Sequence, residues 1–304
     1  MAPVWGLDLI VDRPFVGHGV AMTSTTTPRI VCGLDASEHA PTVLAWARAL
    51  SDRLALPLEA IHSPTPDVFT TGEEREADVR EGQDALARIP GLAAVDEIMI
   101  QPGPPAEVLL SALDDGAVLG VVGSRGRGPL RAALLGSVSN ELVEEASCPI
   151  VVVPPGASLP DLGASPAIVA RLDGSIDDRP TLDAAAWIAP ALGGEFAAVN
   201  VRGTLALQTG TTAMWVERDL EELGVEPAVR VESGNAVDQI RQVADRHDAA
   251  MIVVGWDGDA LVPGAVAGKL AARSDVPVLI VPPRVRIAAE RPLTTLGAGL
   301  RPTV

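Results

Sequence analysis

Apolar positions along this chain fall into two alternating kinds of stretch. Short runs rich in β-branched residues lie near 29–34, 57–62, 95–100, 117–122 and 150–154. Between them, near 39–54, 73–89, 105–114 and 136–146, apolar residues recur at helical spacing with polar residues filling the other faces. The first kind predicts strands and the second amphipathic helices. Strands that alternate with helices predict a doubly wound parallel sheet with right-handed crossovers.

The pattern then repeats. Residues 29–37 read RIVCGLDAS and residues 167–175 read AIVARLDGS, each followed by a helical stretch, 42–54 in one copy and 181–192 in the other. Gly103-Pro-Pro-Ala-Glu-Val-Leu is matched by Gly234-Asn-Ala-Val-Asp-Gln-Ile, and Val121-Val122-Gly123 by Val253-Val254-Gly255. The copies end alike, as CPIVVVPP at 148–155 and VPVLIVPP at 276–283. Two open parallel-sheet α/β domains in tandem are therefore expected, at 29–155 and 167–283. The Pro/Gly/Ala/Ser-rich stretch 156–166 reads as a linker, 1–28 as a leader and 284–304 as a tail. Met22, just before a Ser/Thr run, is a second candidate for the start. The runs 150–153 and 278–281 close their domains as apolar strands, and an exposed edge of that kind invites pairing.

The stretch with chemical content is 119–154. Its glycines fall as Gly123-x2-Gly126-x9-Gly136-Ser137, after a strand and before a helix. Glycines let the backbone turn tightly around an anion, and N–H groups at a helix N-terminus point at it. Ser137 adds a hydroxyl, and Arg125, Arg127 and Arg131 place cations in an acidic chain. Asp35 ends the first strand, and in open α/β sheets ligands bind beyond the carboxyl ends of strands. A carboxylate there can accept from a ribose hydroxyl or an adenine amino group; Asp35 or Ser37 can also cap the following helix.

The Leu-Asp-x-Ser at the first strand, the G-2x-G-9x-G-Ser element and the Cys-Pro-x-Val-Val-Val-Pro ending resemble the universal stress protein family, in its ATP-binding branch. The resemblance covers both copies. It implies a Rossmann-like adenine-nucleotide-binding fold, with ATP as ligand, with or without Mg2+; separately, no catalytic constellation is read in the sequence. Carried over by position, it puts Gly33 and Asp35 by the adenine and ribose, and Ser63 and Val122 along the adenine pocket. Gly123, Gly126, Gly136, Ser137 and Val138 would hold the ribose and phosphates, with Arg125 beside them. It also implies that the last strands of two such domains pair across a dimer axis. In a tandem chain this means 150–153 with 278–281, an intramolecular pseudo-dimer, and leaves open whether two chains then associate.

The second copy departs from this pattern. Gly255-x2-Gly258-x9-Gly268 has the same spacing, but the downstream register aligns Gly264-Ala-Val-Ala with Gly136-Ser-Val-Ser. On that alignment the loop is four residues shorter, Ala265 replaces Ser137, and Asp257 and Asp259 stand where the first copy has Arg125 and Arg127. Carboxylates beside a polyphosphate repel it. Asp173 is retained. The second site is expected to be degenerate.

Composition narrows the function classes. With 47% hydrophobic and 21% charged residues the chain is globular. Aromatics make up 3%, with no Tyr, so the core is built from Val, Leu, Ile and Ala, as suits a sheet covered on both faces. A formal net charge of −17 argues against nucleic acid and anionic membranes as partners. No run of 18 apolar residues occurs, and cytoplasmic location is expected. Cys32 and Cys148 lack metal or redox spacing and read as buried thiols. His18, His39, His62 and His247 are scattered, and His62, at a strand end, reads as a packing histidine. The acidic stretch Glu73–Glu81 reads as a solvated face. The expected function is a nucleotide-dependent sensor acting on a regulatory protein partner. A slow ATPase and an adaptor with vestigial pockets are the alternatives.

Overall fold

A computed structural model of the chain describes residues 27–64, 72–124, 135–160, 162–163, 167–172, 178–201, 227–231, 235–256 and 265–285. In the first half the order is β1 (Arg29–Gly33), α1 (Ala40–Leu54), β2 (Leu58–His62), α2 (Gly72–Leu86), a 3-10 turn (Leu92–Ala94), β3 (Glu97–Ile100), α3 (Pro105–Asp114), β4 (Ala117–Gly123), α4 (Ser137–Glu145) and β5 (Ile150–Val153). The second half gives β6 (Ala167–Leu172), α5 (Arg179–Ala191), β7 (Glu195–Val201), β8 (Pro227–Val231), α6 (Ala236–Arg246), β9 (Ala249–Gly255), α7 (Ala265–Arg273) and β10 (Val278–Val281).

The strands form one ten-stranded sheet in the order β3-β2-β1-β4-β5-β10-β9-β6-β7-β8. Every pairing is parallel except the central one, where β5 meets β10 antiparallel with Val152 opposite Val278, Val151 opposite Leu279 and Ile150 opposite Ile280. The two halves are thus joined through the apolar runs that each copy would otherwise leave at an edge. β5 and β10 are buried at every position, because helices from both halves cover them.

Side chains alternate across the sheet as the pleat demands. Ile30, Cys32, Val151, Val153, Leu279 and Val281 point into one cluster with Leu44, Ala47 and Leu50 of α1 and Ala185 and Ile188 of α5. Val31, Ile150, Val152, Val278 and Ile280 point into the other, with Leu109 of α3, Leu142 of α4, Ile240 of α6 and Leu270 of α7. In α1 the residues at 43, 44, 47 and 50 make one buried stripe at helical spacing.

The segment between the halves is pinned along α1. Trp46 Nε1 donates to Ser158 O at 2.9 Å, and Arg53, seven residues on and so on the same face, donates to Gly163 O at 2.9 Å and to Leu162 O. Arg53 also reaches the carbonyl of Leu192, just past the end of α5, at 2.8 Å, placing a cation where the helix dipole favours one.

β3 begins at Glu97 rather than at 95. Asp96 pairs through its side chain instead, accepting from Leu58 N at 2.8 Å while its own N–H donates to Leu58 O at 3.1 Å. The expected leader lies outside the described residues up to 26, and the tail from 286 onward lies outside them too. No helix among the described residues is long and apolar enough to cross a membrane.

Candidate functional site

β1 and β4 are neighbours whose chains leave in opposite directions, β1 towards β2 and β4 towards β5. Their carboxyl ends therefore frame the crevice where open α/β sheets bind ligands.

On the β1 side, Asp35 turns back on itself. Its Oδ1 accepts from Ser37 N at 3.2 Å and from Ser37 Oγ at 2.6 Å, an Asx turn. Neither residue caps α1: His39 holds that position with no side-chain cap, and Pro41 in the first turn lacks an N–H to satisfy. The second carboxylate oxygen, Asp35 Oδ2, is buried and has no partner among the described residues. Leaving a buried acceptor unpaired costs on the order of 1–3 kcal/mol, so this oxygen favours a donor brought by a ligand. The carbonyl just before it is fixed by His62, whose Nδ1 donates to Leu34 O at 2.7 Å. Because a carbonyl only accepts, Nδ1 carries the proton. Gly82 of α2 lies over the same ring, a Cβ there falling 3.0 Å from His62 Cδ2.

On the β4 side three bonds lock the strand end. Ser139 Oγ donates to Gly123 O at 2.6 Å, Ser124 N donates to Val153 O at 2.9 Å, and Gly136 N donates to Ser124 O at 2.8 Å. The last bond staples the two ends of the glycine loop together. His39 Nε2 lies 3.2 Å from the same Val153 carbonyl, tying the start of α1 to this corner. Ser124 is fully buried, and its hydroxyl has no partner among the described residues.

α4 then starts with an anion-binding end. Gly136 is its N-cap in extended conformation with no side-chain cap, and the first helical bond is Asn140 N to Gly136 O at 2.9 Å. The N–H groups of Ser137, Val138 and Ser139 are left without helical acceptors, at the positive end of the dipole. Gly136 N–H is not among them, because Ser124 O takes it.

The residues singled out by sequence separate into groups. Asp35, Gly123, Gly136, Ser137 and Val138 are brought to this crevice. Ser63 stands at the end of β2, where its hydroxyl donates to Gly103 O at 2.8 Å and fastens two loops. Gly33 and Val122 serve packing: a Cβ on Gly33 would lie 2.8 Å from Leu109 Cδ1 and 3.1 Å from Val122 Cγ1. Arg125 and Gly126 lie outside the described residues, as do Arg127 and Arg131. Sequence reasoning missed Ser124, Ser139, and the carbonyl bonds of His39 and His62. The signal for Ser139 was present in the aligned Gly136-Ser-Val-Ser and Gly264-Ala-Val-Ala, which differ at 139 as well as at 137.

The cysteines lie away from this chemistry. Burial pushes the Cys148 thiol up to about 12, with Asp114 adding to the shift and a backbone bond from Gly120 opposing it. Burial alone pushes Cys32 higher still. Both remain protonated and unreactive at neutral pH.

The equivalent edge of the second half is built differently. Trp256 follows β9 where Ser124 follows β4, and its N–H donates to Val281 O at 3.0 Å. Ala267 takes the place of Ser139 and is fully buried. Asn235 caps α6, its Oδ1 accepting from Val237 N at 3.0 Å, where the matching Pro104 gives α3 no side-chain cap. Gly268 lies in the interior of α7, so the loop spacing that ends on it does not mark a helix start. Asp173, Asp257, Gly258, Asp259 and Gly264 lie outside the described residues.

Known proteins match both halves. The Universal stress protein family matches residues 26–154 and again 166–282. Universal stress protein Rv2624c of Mycobacterium tuberculosis is 33% identical over 170 residues, covering 53% of this chain and 60% of that protein. A universal stress protein of Thermus aquaticus is 32% identical over 137 residues, 41% of this chain and 96% of its own length. The chain thus spans less than two thirds of the mycobacterial relative. Among solved structures, a universal stress protein from Archaeoglobus fulgidus overlays 84% of this chain and 98% of its own, with a TM-score of 0.62 at 18% identity, which speaks for the fold alone. With the family matched twice, over most of its length, the chain belongs to the universal stress protein family.

Proposed function

We propose that the first half binds ATP, with or without Mg2+, at the β1/β4 crevice, and that the chain acts as a nucleotide-dependent sensor read by a regulatory protein partner. The observation that carries this reading is the pairing of an α4 N-terminus without a side-chain cap with a buried oxygen of Asp35 that has no partner among the described residues. One suits phosphates and the other a ribose hydroxyl or an adenine amino group. In this reading the N–H groups of Ser137 and Val138, the Ser137 hydroxyl, and Arg125 with Gly126 in the loop hold the phosphates. Gly123 and Gly136 shape the turn, Gly33 and Val122 form the floor, and Ser63 borders the adenine. The domains are 29–155 and 167–283, with 156–166 between them, and the chain works in the cytoplasm. Binding is favoured over hydrolysis because His39 and His62, the histidines at this edge, are both engaged with main-chain carbonyls.

Calorimetric titration of Mg-ATP tests this. Wild type is expected to bind one equivalent. Asp35→Asn, which puts an amide where the acceptor was, is expected to bind roughly ten to a hundred times more weakly, as for a hydrogen bond to a charged group. Folded wild type with no saturable binding overturns the reading, and steady phosphate release during the titration would favour the ATPase.

A further inference from the structure

The two halves place a different side chain at one equivalent position, and the difference is large. Ser124 and Trp256 each follow the glycine that ends the fourth strand of its half, and each donates its main-chain N–H to the last carbonyl of the neighbouring strand, Val153 O at 2.9 Å and Val281 O at 3.0 Å. The framework is therefore the same at both. In the first half the position carries a hydroxymethyl group. In the second it carries an indole that is only 8% exposed and is packed in one cluster with Val237 and Ile240 of α6 and Ala267 and Leu270 of α7. These residues belong to the helices that begin at the carboxyl edge of the sheet, beside the crevice between β6 and β9.

Other features at that edge are closed as well. Thr181 of α5 presses on the strand end, its Oγ1 falling 2.8 Å from where a Cβ on Gly255 would sit. Asn235 takes up N–H groups of the first turn of α6. Ala267 offers no hydroxyl where Ser139 reaches Gly123 O. Trp256 is buried at this edge, in the same cluster as Val237, Ile240, Ala267 and Leu270.

We infer that Trp256 is an internal plug: its indole occupies the crevice of the second half and is the residue that keeps a flat heteroaromatic ligand, a purine nucleoside, out of it. The inference rests on the β1/β4 crevice of the first half being a nucleotide site only for the identity of the ligand.

The test replaces Trp256 by Gly in the full chain and titrates indole and adenosine separately into wild type and variant. The expected result is one more equivalent of indole bound by Trp256→Gly than by wild type, and likewise one more of adenosine. If wild type binds neither adenosine nor Mg-ATP and the variant binds one adenosine, the plug stands and the first-half reading falls. A folded variant that gains no indole site overturns the plug. A variant that gains indole but no adenosine overturns the assigned ligand class. Should Trp256→Gly unfold, its melting temperature is followed with added indole, together with the milder Trp256→Val. Recovery of the fold by indole is expected, and failure of indole to raise the melting temperature of either variant shows the ring to be ordinary core and sinks the proposal.

Discussion

The two halves of this chain agree wherever the sheet is held together and disagree along one edge. Both carry the strand order that puts the first and fourth strands side by side, and both bury their last strand completely at the centre. At the carboxyl edge of the first half the side chains leave things unfinished among the described residues: α4 without a side-chain cap, and an Asp35 oxygen and a Ser124 hydroxyl without a partner. At the same edge of the second half Trp256 is buried where Ser124 stands in the first, and Asn235 caps α6 where Pro104 leaves α3 without a side-chain cap. A buried polar group without a partner is a standing cost that folding alone does not explain. The buried Ser124 hydroxyl in one copy and the buried Trp256 in its place in the other separate what the fold needs from what a ligand needs.

The largest effect should come from breaking what the halves share. Leu279 is fully buried on β10, opposite Val151 of β5, in the cluster between α1 and α5. Leu279→Asp buries an unpaired carboxylate at the seam and should cost on the order of 3–5 kcal/mol or more. Chemical denaturation is expected to show the midpoint collapsing for the whole chain. A transition with only one half melting would instead mean that the halves fold independently of the β5/β10 pair.

An alkaline titration sharpens the contrast, because both cysteines lie in the first half. Ala170 and Val276 occupy the matching positions of the second. A thiol is neutral when protonated, and burial raises it from 9.0 to about 12 at Cys148. Between those values the unfolded chain has lost the proton that the folded chain keeps, so stability falls as pH rises. The slope is about 1.4 kcal/mol per pH unit for each thiol. Stability should therefore be flat with respect to these groups below pH 9.0 and decline above it. Cys32→Ala, which copies the second half, should roughly halve the decline. An unchanged slope in that variant would remove the cysteines as its cause.

The sheet was legible in the sequence because buried parallel strands and amphipathic helices write themselves as two different periods. β1, β2, β4, β5, α1 and α3 fall within a residue or so of where those periods place them. The β5/β10 seam was legible through the family resemblance, and the apolar β-branched run at the end of each copy marked the two edges that pair. The start of β3 was not, because Asp96 pairs through its side chain, and no propensity encodes that. At the site, Asp35 and the Gly136-Ser137 helix start could be named from motif and position. Ser124 could not, because a serine inside a glycine-rich stretch is indistinguishable from loop filler until its burial is known. Gly33 and Val122 show the opposite case. The motif marks them as site residues, whereas the close approach of Leu109 and Val122 to Gly33 gives a packing reason for the same letters.

The smallest predicted effect is also the one that separates the halves most finely. Ser139 Oγ holds Gly123 O at 2.6 Å in the first half, and Ala267 holds nothing in the second. Ser139→Ala removes the donor and leaves a carbonyl behind, which should lower stability by about 1–2 kcal/mol. Because Gly123 leads into the loop stapled by Ser124 and Gly136, the same change should loosen that loop and weaken nucleotide binding several-fold, without altering the number of sites. The reverse change, Ala267→Ser, introduces a hydroxyl into a position packed for a methyl group. It should destabilise mildly and confer no binding while Trp256 remains in place. If Ser139→Ala alters stability but leaves affinity untouched, the bond belongs to the shared framework rather than to the site. Thermal melts and calorimetry on the two variants side by side decide on which side of the line between fold and function this hydrogen bond falls.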